Sequence, residues 1–166
     1  MMKKLRLATV TALSTLAVGA GMIFPSSAQA ATYWTFENGA WNTCLTAGDS
    51  GVAYHTTCQG SNRQQWDWVG SGHGQYLQLK NRETGKCLTT DFKNSVNAVW
   101  TSTCGAAPDQ WWYYRGSDRA LYNEGEGNGS TGFLRTSPTE RDAVYTSSLA
   151  GSPVAGSYFT WIGSHT

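Results

Sequence analysis

"CQGSNRQQW" (58–66) and "CGAAPDQWW" (104–112) share one spacing: a cysteine, a Gln six residues on, and a Trp two residues after that. The likeness extends upstream. Asn38 precedes Cys44 by six residues and Asn81 precedes Cys87 by six, and Leu45 and Leu88 complete the triplet "CLT" in both. An aromatic residue, Tyr54 or Trp100, stands four before the second cysteine of each copy. The chain therefore contains an internal repeat, and the repeat governs how the rest is read.

A third copy is looser. "GFLRTS" (132–137) puts Phe133-Leu134 where "CL" stands, Tyr145 lies four residues before Leu149, and "SYFTW" (157–161) puts Phe159 and Trp161 in place of Gln and Trp. Two loops enlarge this copy, "EGEGNGSTG" (124–132) and "AGSPVAGSY" (150–158). The unit is about 45 residues and occurs three times, with lobes at roughly 32–75, 76–118 and 119–163.

Within each unit, runs such as "YWTFEN", "YLQLKN" and "AVWTSTC" are rich in aromatic and β-branched residues, with Gly, Ser, Asn and Asp between them. No stretch after residue 30 keeps a helical apolar period. Four strands per unit predict an all-β chain of about twelve strands.

Residues 1–30 read as a secretory signal peptide. "MMKKLR" is basic, "LATVTALSTLAVGAGMIF" is mostly apolar, and "SSAQA" ends in the small-x-small pattern of a cleavage site after Ala30. The expected product, residues 31–166, is one secreted, extracellular domain with no membrane span, and the leader suits a Gram-positive bacterial source. It holds nine Lys/Arg against eleven Asp/Glu and no basic cluster, which disfavours nucleic acid as a partner. Four cysteines in an oxidising compartment read as disulfides. Their spacing contains no CxxC pair, so neither metal nor cofactor is expected.

Three units with "CL" early and Gln-x-Trp late resemble the ricin-type lectin β-trefoil, and the resemblance spans residues 32–163. It implies a three-lobed barrel capped by hairpins, with pseudo-threefold symmetry. It also implies pairing within lobes, Cys44–Cys58 and Cys87–Cys104, each closing a loop worth about 3 kcal/mol in the chain-entropy view. Strand alternation puts Trp66 with Gln64, and Trp112 with Gln110, on one inward face, and Trp161 inward in the third lobe. Buried Gln needs hydrogen-bond partners, so Gln64, Trp66, Gln110, Trp112 and Trp161 read as structural core.

Ricin-type sugar pockets, by the same resemblance, use an Asp two residues after the first cysteine, an aromatic two before the second, and an Asn before the Gln. This chain has Thr46, Thr89 and Arg135 at the first place, Thr56, Ser102 and Ser147 at the second, and Arg63, Asp109 and Tyr158 at the third. The usual pockets are expected to be degenerate. Asp49 with Tyr54 and His55, or Asp91 with Trp100, would form a shifted pocket; the alternative is that Tyr54, Trp100 and Tyr145 are equivalent packing residues. Alternation also points Trp111 and Tyr113 outward, where the first lobe has Gln65 and Asp67, and exposed aromatics mark binding surfaces; the alternative is that hairpin-cap residues or the third-lobe loops cover them. Trp41, in a turn, is a further exposed aromatic.

The expected function is a secreted, non-enzymatic carbohydrate-binding module, since no nucleophile or convergent carboxylate pair stands out. The alternative is a protein-binding subunit of a secreted assembly. The accessory subunits of cytolethal distending toxins are a ricin-like example. The partner is accordingly a glycan or a secreted or surface protein.

Overall fold

The computed structural model describes residues 32–126 and 131–165. The expected signal peptide and the tip of the loop at 127–130 lie outside them. Each lobe supplies four strands. They are β1 Trp34–Asn38, β2 Thr43–Ala47, β3 Ala53–Thr57 and β4 Trp66–His73 in the first; β5 Tyr76–Asn81, β6 Cys87–Thr90, β7 Val96–Ser102 and β8 Trp111–Arg115 in the second; and β9 Ala120–Asn123, β10 Phe133–Thr136, β11 Val144–Ser147 and β12 Trp161–His165 in the third. This is an all-β trefoil.

The outer strands of each lobe pair antiparallel round a barrel, β1 with β4, β4 with β5, β5 with β8, β8 with β9, and β12 with β1. A hydrogen bond from Trp161 N to Arg119 O joins β12 to the start of the third lobe. The inner strands form the hairpins β2–β3, β6–β7 and β10–β11. These meet one another about the pseudo-threefold axis: β7 pairs with β11, Val52 bridges to Trp100, and Tyr54 bridges to Ala143.

The core repeats three times over. Trp66, Trp112 and Trp161 are fully buried, beside Phe36, Leu79 and Leu121 from the facing barrel strands. A buried indole N–H requires an acceptor. Each finds it in the carbonyl of its own lobe's hairpin leucine: Trp66 Nε1 donates to Leu45 O at 3.1 Å, Trp112 to Leu88 O at 2.8 Å, and Trp161 to Leu134 O at 2.9 Å. These leucines are themselves fully buried, so one contact fixes each hairpin to the barrel.

Gln64 and Gln110 occupy short 3₁₀ turns just before β4 and β8. Gln64 accepts from Gln59 N and donates to Thr57 O, and Gln110 accepts from Gly105 N and donates to Thr103 O. The amides thereby hold the residues on either side of each second cysteine. Asn38, Asn81 and Asn123 are a third set of ties. Their side-chain amides donate to backbone carbonyls in the 3₁₀ turns ahead of β12, β4 and β8, those of Tyr158, Arg63 and Asp109 respectively, each within 3.0 Å. Cys44–Cys58 and Cys87–Cys104 are bonded. The third lobe has in their place an apolar cluster of Ala120, Phe133 and Phe159, against which Tyr122, Leu149 and Val154 pack.

Candidate functional site

The hairpin register fixes where pocket residues stand in each lobe. Cys44, Cys87 and Phe133 lie opposite Thr56, Ser102 and Ser147, and Thr46, Thr89 and Arg135 lie opposite Tyr54, Trp100 and Tyr145. Thr46 and Thr89 are buried, and each hydroxyl donates to the carbonyl of its lobe's first cysteine. Each also receives a hydrogen bond from the lobe's Gln, Gln64 or Gln110. In the first two lobes these side chains therefore serve the interior.

The proposed trio Asp49, Tyr54 and His55 is not brought together. Tyr54 and His55 are consecutive on β3 and so face opposite sides. His55 is 2% exposed, with Nδ1 2.7 Å from Thr43 Oγ1 and Nε2 buried without a partner. Burial lowers its pKa below the ordinary histidine value, against the opposing effect of Asp142. The Asp49 carboxylate, highly exposed, pairs instead with Arg63. Asp91 pairs with Lys93 at 3.4 Å, while half-buried Trp100 bridges to Val52. Among the described residues no hydrogen bond, ion pair or ring contact joins Asp91 to Trp100. Tyr54, Trp100 and Tyr145 do occupy equivalent half-buried places, one per lobe.

Trp111 corrects the expectation of an exposed aromatic. It points away from the barrel axis, yet only 5% of its surface is exposed. The β4–β5 hairpin folds over it: His73 stacks on the indole, and Gly70 lies against the ring's far edge. Tyr113 is half-buried, edge-on to Tyr76. Trp41 is 37% exposed and its Nε1 donates to Ser137 O at 3.1 Å.

Three cavities stand out among the described residues. The first, of 270 Å³, lies at one end of the barrel and is lined by Trp34, Trp68, Gln75, Leu77, Tyr113 and Tyr114, with Trp112 behind them. Trp34 and Tyr114 meet edge to face with centroids 5.8 Å apart. Sequence reasoning missed this aromatic mouth, although Trp34, two residues before Phe36, and Trp68, two after Trp66, share an inward alternation. The second, of 310 Å³, lies in the third lobe beside Arg135 and Ser147 and is walled by Ser95-Val96 and the segment 148–154. Arg135 Nε donates to Ser147 Oγ at 2.7 Å and Nη1 to Thr136 O at 2.9 Å. Burial lowers the Arg135 pKa, opposed by Tyr145 and Glu140. Tyr145 is raised because its hydroxyl donates to Glu140. The third cavity, of 380 Å³, is lined by Tyr33, Asp67, Val69, Lys80, Arg82 and Glu83.

Among the described residues, no cluster of three His, Cys, Asp or Glu side chains is placed to hold a metal ion, and no helix is long and apolar enough to cross a membrane.

The chain is similar to several solved structures. They include the designed threefold-symmetric protein ThreeFoil (TM-score 0.64, 18% identity, 79% of this chain and 96% of that one). A mosquitocidal holotoxin matches with TM-score 0.66 and 18% identity over 83% of this chain, which spans only 17% of that protein. An exo-β-1,3-galactanase from Clostridium thermocellum matches with TM-score 0.64 and 19% identity, over 78% of this chain and 29% of that one. At these identities the likeness is one of fold. No curated protein matches. The sequence model of the cytolethal distending toxin A/C domain matches residues 23–115, more than half of the chain. The protein therefore belongs to the cytolethal distending toxin A/C domain family.

Proposed function

We propose that the protein is a secreted, non-enzymatic, carbohydrate-binding module of a toxin-like assembly. In this reading the ricin-type pocket positions of the first two lobes are closed and the third lobe carries the glycan site. One observation carries the reading: the asymmetry of the three hairpins. Thr46 and Thr89 are buried and hydrogen-bonded to their own lobes, whereas the equivalent Arg135 borders a cavity of 310 Å³. Family membership supplies the toxin context, and the mosquitocidal holotoxin and the galactanase are larger proteins with a similar domain. The absence of catalysis is part of the proposal. It is supported by acids engaged in ion pairs, Asp49 with Arg63 and Asp118 with Arg115, and by a His55 enclosed in the hairpin cap.

A glycan array probed with residues 31–166 tests the reading. Binding is expected, unchanged by Thr46→Ala and Thr89→Ala in folded protein; an array without signal at millimolar sugar sinks it. Secretion is tested separately by N-terminal sequencing of exported protein, which should begin at Ala31.

A second reading, a protein-binding subunit, is favoured by the aromatic barrel mouth. Trp34, Trp68, Tyr113 and Tyr114 present partly buried rings round a cavity, the kind of surface into which a partner's side chain inserts. Co-purification from the native secretome, repeated with Tyr113→Ala, separates it from the first: a partner lost with Tyr113 supports it, and a partner-free monomer counts against it.

A further inference from the structure

Arg135 is 7% exposed, and a buried guanidinium is costly unless an anion accompanies it. Its protein partners are neutral. Nε binds the Ser147 hydroxyl, Nη1 binds the Thr136 carbonyl, and the Tyr145 ring lies 5.4 Å from Cζ. The neighbouring Glu140 carboxylate accepts the Tyr145 hydroxyl instead. None of the ion pairs among the described residues includes Arg135, and Nη2 makes no hydrogen bond among them. The cavity thus borders a guanidinium that no carboxylate contacts directly, Glu140 acting on it only at a distance.

The cavity's other lining narrows the ligand class. Ser147 and Ser148 add hydroxyls, while Val96, Pro153 and Val154 add apolar surface. Its 310 Å³ is at the small end for ligand pockets, enough for one sugar ring and too little for an oligosaccharide. A guanidinium recognises a planar carboxylate through two parallel N–H bonds, and aliphatic walls suit the C–H face of a sugar. An inorganic anion would use the first feature and leave the second idle.

We propose that the third-lobe cavity binds an acidic monosaccharide, a terminal sialic or uronic acid, with its carboxylate held by Arg135. This rests on the glycan-binding reading and specifies its ligand. The device replaces the carboxylate of an ordinary lectin pocket by its opposite charge, so the sugar brings the acid and the protein the base.

Isothermal titration of residues 31–166 tests it, with the methyl glycosides of N-acetylneuraminic acid and glucuronic acid, each against its methyl ester. Binding of one or both acids is expected, weakened about tenfold or more in the ester, since a charged hydrogen-bonded pair is lost. Which acid binds distinguishes the two sources. Arg135→Lys keeps the charge and removes the fork, and should weaken binding. Because that side chain is buried, Val96→Glu is the second probe; Val96 is 44% exposed, and a carboxylate there should repel the ligand with no loss of stability. Equal affinity for acid and ester overturns the carboxylate assignment and leaves the glycan reading standing. Acid binding that Val96→Glu leaves untouched places the site elsewhere and overturns the proposal. Failure of every glycan on the array overturns both.

Discussion

The imidazole of His73 lies flat on the indole of Trp111, ring centroids 3.9 Å apart and planes 17° from parallel. His73 Nδ1 also reaches Glu124 at 3.0 Å, so a single stack joins the end of β4, the start of β8 and the first third-lobe loop. Gly70, at φ 94°, completes the cover; a Cβ there would lie 3.0 Å from the indole. Trp111→Ala should therefore destabilise the fold by about 3 kcal/mol, the scale of truncating a buried Trp. Urea denaturation measures this. An unfolding midpoint equal to the parent's would mean that the hairpin leaves the indole free in solution.

Tyr114 and Gly163 are complementary. They occupy equivalent places, two residues after Trp112 and Trp161, and the tyrosine fills the space that the glycine vacates. Tyr114 Oη donates to Trp161 O at 3.0 Å and accepts from Gly163 N at 3.1 Å. A Cβ on Gly163 would meet Trp34 at 3.0 Å and Tyr114 at 3.1 Å. Gly163→Ala should cost about 1–3 kcal/mol by overpacking. Tyr114→Phe should cost about 1–3 kcal/mol by stranding a backbone N–H and a carbonyl. Because both act on one contact, the double variant should cost less than the sum of the two, as a double-mutant cycle by denaturant melts would show. Strict additivity would mean that the two residues are independent.

The two disulfides are each local, closing 14 and 17 residues of chain. Replacing Cys44 and Cys58 together by Ala should lower stability by about 3 kcal/mol, and the same holds for the second pair. The third lobe has no such crosslink, so reduction should leave its Phe133–Phe159 cluster in place. Hydrogen exchange under reducing conditions reads this lobe by lobe. Equal deprotection of all three lobes would show instead that the barrel opens as one unit.

The repeat made the architecture legible because its residues answer to barrel geometry. Trp66, Trp112 and Trp161 need an inward position and an acceptor; the Gln64, Gln110 or Phe159 two residues earlier is buried too, but from a 3₁₀ turn ahead of the strand rather than by strand alternation. What alternation cannot supply is the element beyond. It gives the direction of Trp111, away from the axis, but the cover comes from Gly70 and His73 on β4, which belongs to the first lobe. His55 illustrates the same limit at the hairpin cap. Next to Tyr54 in sequence it reads as part of one pocket; on a strand it must face the other way. In sequence, Arg135 reads only as a departure from a lectin pattern. Its interest lies in a cavity walled by the segment 148–154, an insertion whose path no repeat predicts. Symmetry made the scaffold readable, and the third-lobe cavity is built from residues that break it.

His55 occupies the place of Thr101 and Thr146, opposite Leu45 as they are opposite Leu88 and Leu134. It brings a titratable ring to a buried position that the other lobes fill with a hydroxyl. Burial favours its neutral form, only partly opposed by Asp142, so the folded state holds this proton less tightly than the unfolded chain. As pH falls through the unfolded histidine value of about 6.5, the unfolded chain takes up a proton that the folded chain refuses, and stability declines until the lower folded value is passed. The parent should therefore show a falling urea midpoint between about pH 7 and pH 5, above the range where most carboxylates titrate. His55→Thr, the residue its symmetry mates already carry, should flatten that slope. If parent and variant share one slope, the pH dependence arises outside the hairpin cap.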